Sequence, residues 1–157
     1  MLTKVFSANL IGLDCQLVDV EIDFRRGNYA FHIVGLADKS VQESKERVVS
    51  AIKNCGFTYT PMVTIANLAP AEIPKTGTHF DFPIAVGYIS SSGQLDCDFT
   101  NKLFIGELGL DGSIKPVKGI LPIVDFAKRT GISQIFLPYE NAQEASLIKD
   151  IDIFAVK

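Results

Sequence analysis

Four ionisable residues within ten positions form the densest group of potentially reactive side chains in this sequence: Glu72, Lys75, His79 and Asp81. They lie where a segment with two prolines and a glycine meets the predicted start of a helix. A helix N-terminus presents unpaired N–H groups and favours negative charge, and Lys75 adds a positive charge beside it. These four residues are therefore candidates for contact with an anion, a partner protein or DNA.

A structural interpretation of the same residues stays open. Asp81 directly precedes an apolar run, so it could cap the helix. Its carboxylate would then occupy the N–H groups that a bound anion needs, and the neighbouring charges would only keep the segment solvated.

Common catalytic motifs are absent from the sequence. No G-x-x-x-x-G-K-[ST] loop occurs, which excludes an ordinary P-loop ATPase within these residues. The motifs H-E-x-x-H, G-x-S-x-G and G-x-G-x-x-G are also missing. Two histidines, His32 and His79, are too few for a histidine-rich metal site. We therefore expect neither a metal nor a cofactor in this chain.

Length and composition indicate one ordinary globular domain. The 157 residues carry 15 Lys and Arg against 18 Asp and Glu, a net charge of −3 that excludes a wholly basic nucleic-acid coat. A chain of roughly 150 residues buries about 68–70% of its unfolded surface, enough for one core, so we expect a single domain over residues 1–157. No apolar run reaches the ~18 residues of a membrane span.

Three cysteines lie about 40 residues apart without a C-x-x-C pair: Cys15, Cys55 and Cys97. Neither a disulfide framework nor a zinc site is indicated by this spacing. We expect reduced thiols in the core of a cytoplasmic protein.

Hydrophobic periodicity predicts the elements that would position these residues. Polar and apolar residues alternate over 17–24, and a β-rich run over 29–34 follows turn residues, so we predict a hairpin over 17–34. Asp111-Gly112 predicts a second hairpin, and Asn141 with Glu144 resembles a capping box. Further strands are predicted over 62–68, 134–137 and 151–156, and helices over 38–55, 80–92 and 120–129.

The order of these elements favours an α+β or α/β fold. Strands dominate the first part of the chain, and helices and strands alternate after it. We therefore predict a mixed sheet flanked by about four helices.

Five blocks of sequence resemble the N-terminal domain of magnesium-chelatase-like AAA+ proteins, the YifB/ComM family. The blocks follow the family's order and together span most of the chain. They are FHIVGLADKSVQESKERV (31–48), NLAPAE (67–72), KTGTHFDFPIA (75–85), GELGLDG (106–112) and LPYENAQEA (137–145).

The resemblance implies both a fold and a lost activity. This N-terminal domain is similar to the proteolytic domain of Lon and to the C-terminal domain of RadA, which implies the ribosomal-protein-S5-domain-2-like fold. In Lon-type proteases a lysine serves as base for a serine nucleophile. The serine position corresponds to His79 here, and the lysine position corresponds to Leu121. Because an aliphatic side chain cannot accept a proton, the resemblance implies a protease-like scaffold without the protease.

The resemblance also implies a longer parent protein. Family members continue into an AAA+ module that binds ATP and Mg²⁺, and they are implicated in hexameric DNA-remodelling ATPases, including branch migration in natural transformation. We therefore expect a cytoplasmic fragment whose partners are its own AAA+ module, neighbouring protomers and, for the parent, DNA, without a membrane. Two alternatives remain: a peptidase-like enzyme with an unusual site, and a free-standing peptide- or nucleic-acid-binding module.

Overall fold

A seven-stranded mixed sheet lies at the centre of the computed structural model, which describes residues 2–157. The strands are β1 (Thr3–Ile11), β2 (Asp14–Arg25), β3 (Ala30–Val34), β4 (Val63–Ala69), β5 (Lys102–Phe104), β6 (Glu107–Leu108), β7 (Ile114–Lys115), β8 (Gln134–Pro138) and β9 (Asp152–Val156). The helices are α1 (Lys39–Gln42), α2 (Ser44–Asn54), α3 (Asp81–Ser91), α4 (Ile120–Arg129) and α5 (Ala142–Ala145), with a 3-10 turn at Tyr139–Asn141.

The sheet order is β3-β4-β2-β1-β5-β8-β9, and β6 and β7 form a separate hairpin. Strand β2 runs antiparallel to both β1 and β4, whereas the pairs β3–β4, β1–β5, β5–β8 and β8–β9 are parallel. The predicted mixed α/β architecture is thereby confirmed.

Two clusters of buried side chains lie on opposite faces of this sheet. One joins Val5 and Ile22 to residues of α2 and α3, such as Ile84. The other joins Ala8 and Leu103 to α4. Val5 and Ala8 of β1 belong to different clusters because side chains alternate between the two faces along a strand. The bounds predicted for α4 from its apolar spacing and from Gly131 agree with the structure.

The hairpin predicted over residues 17–34 is wrong. Strand β4 lies between β2 and β3, so the loop after Arg25 crosses over one strand instead of joining two neighbours. The hairpin at this end of the chain is β1–β2, which turns at Gly12-Leu13. Turn residues indicate that the chain reverses direction, but they do not indicate which strands pair. Here β4, a distant strand with buried Ala66 and Leu68, pairs with both β2 and β3.

Two smaller predictions also need correction. The helix expected over 38–55 is divided at Glu43 into α1 and α2, although Asp38 caps α1 as predicted by accepting the amide of Val41 at 2.9 Å. Asn141 forms no capping box, because its side chain bonds both the N–H and the C=O of Val117, at 2.9 and 3.0 Å.

The thiols are not core groups. Cys55 directly follows α2 and Cys97 lies in the loop between α3 and β5, and both are exposed. Cys15 is half-buried. Within residues 2–157, no helix is both long and apolar enough to cross a lipid bilayer.

Candidate functional site

The segment between β4 and α3 contains the four residues that the sequence singled out, and the structure places each in a different setting. Lys75 is fully buried. Its Nζ donates to the carbonyl oxygen of Gly35 at 2.9 Å and to that of Pro70. Its backbone amide donates to Leu36 at 3.0 Å. Burial lowers the pKa of Lys75, and the residue fastens this segment to the loop after β3.

Asp81 is fully buried and opens α3 as its first residue, not as its N-cap. Arg47 binds the carboxylate with two nitrogens, Nε at 2.6 Å and Nη2 at 3.0 Å. Ser44 donates its hydroxyl to the same carboxylate, and the amide of Leu108 donates at 3.1 Å. Burial raises the pKa of Asp81, and these donors offset part of the rise.

His79 is half-buried beside Phe80, with ring centroids 4.1 Å apart. Its Nε2 lies 2.9 Å from the carbonyl oxygen of Ala8, an acceptor, so Nε2 carries the proton of this contact. Burial lowers the pKa of His79, which favours a neutral ring whose Nδ1 is unprotonated.

A groove of about 370 Å³ opens beside His79. The hydroxyl of Thr78 donates to the carboxylate of Glu107 within it. Lys118 is exposed at its wall, whereas Leu121 is not among the residues that line it. The lining residues are Leu10, Thr76, Gly77, Thr78, His79, Glu107, Pro116, Val117, Lys118 and Ile123.

The predicted four-residue contact surface therefore needs correction. Lys75 and Asp81 offer no surface to a partner because both are buried and hydrogen-bonded inside the domain. Glu72 is exposed and His79 is half-exposed, so only these two could meet another molecule directly.

Sequence reasoning missed Arg47 and Ser44 as partners of Asp81. Arg47 belongs to a run of mixed charges on α2 that is typical of a solvated face. Arg47 and Asp81 are 34 residues apart in the sequence, and nothing in that spacing indicates that the guanidinium binds the buried carboxylate.

Three hydroxyl groups in or near this segment donate to carboxylates. Ser44 donates to Asp81 and Thr78 to Glu107. Ser40 donates to Asp38 at 2.6 Å, and its oxygen accepts the amide of Gly77. Within residues 2–157, no group of three or more His, Cys, Asp or Glu side chains is placed to hold a metal ion.

A family model described as subunit ChlI of Mg-chelatase matches residues 20–141, which is well over half of the chain. The chain belongs to this ChlI family. An uncharacterised protein of Mycobacterium tuberculosis (strain H37Rv) is 38% identical over 99% of this chain. Competence protein ComM of Haemophilus influenzae is 37% identical over 95% of it. These matches confirm the predicted resemblance.

The ChlI-family chain is also similar to a protease. Lon protease 2 of Bacillus subtilis is 27% identical over 89% of this chain. The aligned regions make up 31% of the mycobacterial protein, 29% of ComM and 28% of Lon protease 2. This chain thus spans less than a third of the length of these relatives.

The first prediction concerns the buried ion pair. Replacement Asp81→Asn removes the charge that Arg47 pairs with, and breaking a buried pair leaves an uncompensated charge. We expect the free energy of unfolding, measured by urea denaturation, to fall by about 3 kcal/mol. Asp125→Asn removes an exposed partner of Arg129 and should cost less than about 0.5 kcal/mol. Equal losses in both variants would show that the Asp81 pair contributes no more than a surface pair.

The second prediction concerns the pH dependence of stability. The folded-state pKa of His79 lies below its usual value of 6.5, so near and below pH 6.5 the unfolded chain binds a proton that the folded chain excludes. The stability contributed by His79 is present above that pH and is lost as the pH falls. We expect the free energy of unfolding to decrease less steeply from pH 7.5 to 5 in His79→Gln than in the parent chain.

His32→Gln is the matched control for this measurement, because His32 lies exposed on β3. Its profile should follow that of the parent chain. A slope unchanged by His79→Gln would contradict the neutral, buried state of His79.

Proposed function

We propose that this chain is a non-catalytic assembly and interaction domain of a ComM-like AAA+ ATPase. The observation that carries the proposal is which side chain occupies the position corresponding to the Lon serine, and what that side chain contacts. The resemblance assigns His79 to that position, and in the structure Nε2 of His79 donates to the backbone carbonyl of Ala8. Leu121, at the position corresponding to the lysine base, has no group that can accept a proton.

The surrounding contacts support the same proposal. A serine or threonine nucleophile needs a base within hydrogen-bond reach of its hydroxyl. Lon-type proteases use a lysine as that base, but here the buried amine of Lys75 donates to two backbone carbonyls. Lys75 therefore ties the segment to the backbone of the domain, which supports a non-catalytic role.

The wider role of the parent protein is part of the proposal. We propose that the remainder of the parent contains the AAA+ module, which binds ATP and Mg²⁺, and that the parent is a hexameric, cytoplasmic DNA-remodelling ATPase. The name of the relative ComM, a competence protein, supports a branch-migration role in natural transformation. This domain would then contact its own AAA+ module, neighbouring protomers and DNA, with the exposed Glu72 and the half-exposed His79 as contact residues.

The third prediction separates this proposal from a peptidase. Fluorescein-labelled casein incubated with the chain should stay intact at every pH from 6 to 9, whereas an active Lon protease assayed in parallel should cleave it. The contradicting result is hydrolysis by the parent chain that disappears in His79→Ala or Thr78→Ala. Such a result would favour the peptidase-like alternative.

The fourth prediction concerns assembly and DNA. The longer parent protein should form a ring by size-exclusion chromatography with light scattering, and deletion of residues 1–157 should weaken that ring. Glu72→Ala and His79→Ala should weaken assembly of the parent, and His79→Ala should also reduce its binding to single-stranded DNA over a salt titration. A ring and a DNA affinity that survive the deletion unchanged would favour a free-standing binding module.

A further inference from the structure

Strand β9 forms one outer edge of the central sheet. It pairs with β8 on one side, and no other strand within residues 2–157 pairs with its outer side. Ile153, Phe154, Ala155 and Val156 follow one another without a charge or a proline between them. Natural sheet edges are usually protected by charged side chains, prolines, bulges or covering segments, because an open edge pairs readily with another strand.

The opposite edge of the sheet, β3, is protected. The side chain of Gln42 in α1 donates to the backbone carbonyl of Ile33 at 3.0 Å, which occupies an acceptor of this strand. The two edges therefore differ, although each strand has five residues. Within residues 2–157, no strand or side chain makes such a contact with the outer edge of β9.

A ladder of stacked aromatic rings runs to this open edge. Phe104, Phe136 and Phe154 occupy paired positions on the adjacent strands β5, β8 and β9. Neighbouring ring centroids are 4.6 and 4.7 Å apart, and the ring planes differ by 8° and 10°. Phe154 ends the ladder with 41% of its surface exposed, so its outer side lacks the neighbour that each inner ring has.

We propose that β9 pairs antiparallel with β9 of a second copy, about a two-fold axis at Phe154. The two rings of Phe154 then face each other and extend the ladder to six rings across a continuous sheet. In this register Ile153 faces Ala155 of the second copy, and Asp152 faces Val156. No charge faces a like charge, so the edge is complementary to itself.

A second copy fits this edge better than an unrelated strand for two reasons. A two-fold contact uses one surface twice and needs no complementary site elsewhere on the molecule. The register that continues the ring ladder is also the one that centres the apolar residues of β9 on the axis. Because a single strand edge buries less than the ~1,200 Å² of a stable interface, the association should be weak, in the micromolar range.

This inference rests on the proposed assembly role and adds a pairwise contact to it, because head-to-tail interfaces close a ring whereas a two-fold contact joins two copies. Sedimentation of the 157-residue chain from roughly 5 to 500 µM should show a monomer–dimer equilibrium. Phe154→Lys should weaken the dimer at least about tenfold, because it removes the ring pair and places two like charges on the axis. His32→Lys introduces the same charge at the third position of the other edge strand and should leave the dimer unchanged.

Ala155→Lys provides a second variant if Phe154→Lys fails to fold, because Ala155 is exposed on the other face of β9. It should also weaken the dimer. A chain that stays monomeric at all concentrations overturns the inference. A dimer that resists both lysine variants also overturns it, while the proposed assembly role survives through another surface.

Discussion

Burial of the Asp81 carboxylate is the constraint on which the arrangement of the candidate site depends. An ionised group removed from water must be paired and hydrogen-bonded, or it destabilises the fold. Here α2 supplies Arg47 and Ser44, and the backbone of β6 supplies the amide of Leu108. One carboxylate therefore fixes the start of α3 against a second helix and against the β6–β7 hairpin.

The rest of the segment between β4 and α3 follows the same rule. Lys75 donates to backbone carbonyls, Thr78 donates to the carboxylate of Glu107, and His79 donates to the backbone carbonyl of Ala8. These three polar side chains are satisfied by partners within the domain. That arrangement supports the proposed scaffold role of this ChlI-family chain, which is also similar to Lon protease 2.

Sequence analysis predicted what is determined locally. The apolar spacing of α4 and the alternation along β2 gave the elements, and the motif blocks gave the family. Contacts between distant positions were not predictable, because spacing carries no information about them. Asp81 was a possible cap of its own helix, yet its donors Arg47 and Leu108 lie 34 residues earlier and 27 residues later. The ladder ending at Phe154 became visible only once the strand register was known.

Native-state hydrogen exchange of the segment from Lys75 to Asp81 tests most directly whether internal contacts hold it. The amide of Lys75 donates to Leu36, and that of Gly77 donates to the hydroxyl of Ser40. The account predicts that these two amides exchange far more slowly than those of the exposed loop at residues 26–28. Exchange as fast as in that loop would contradict it, because the segment would then be free to rearrange around a substrate.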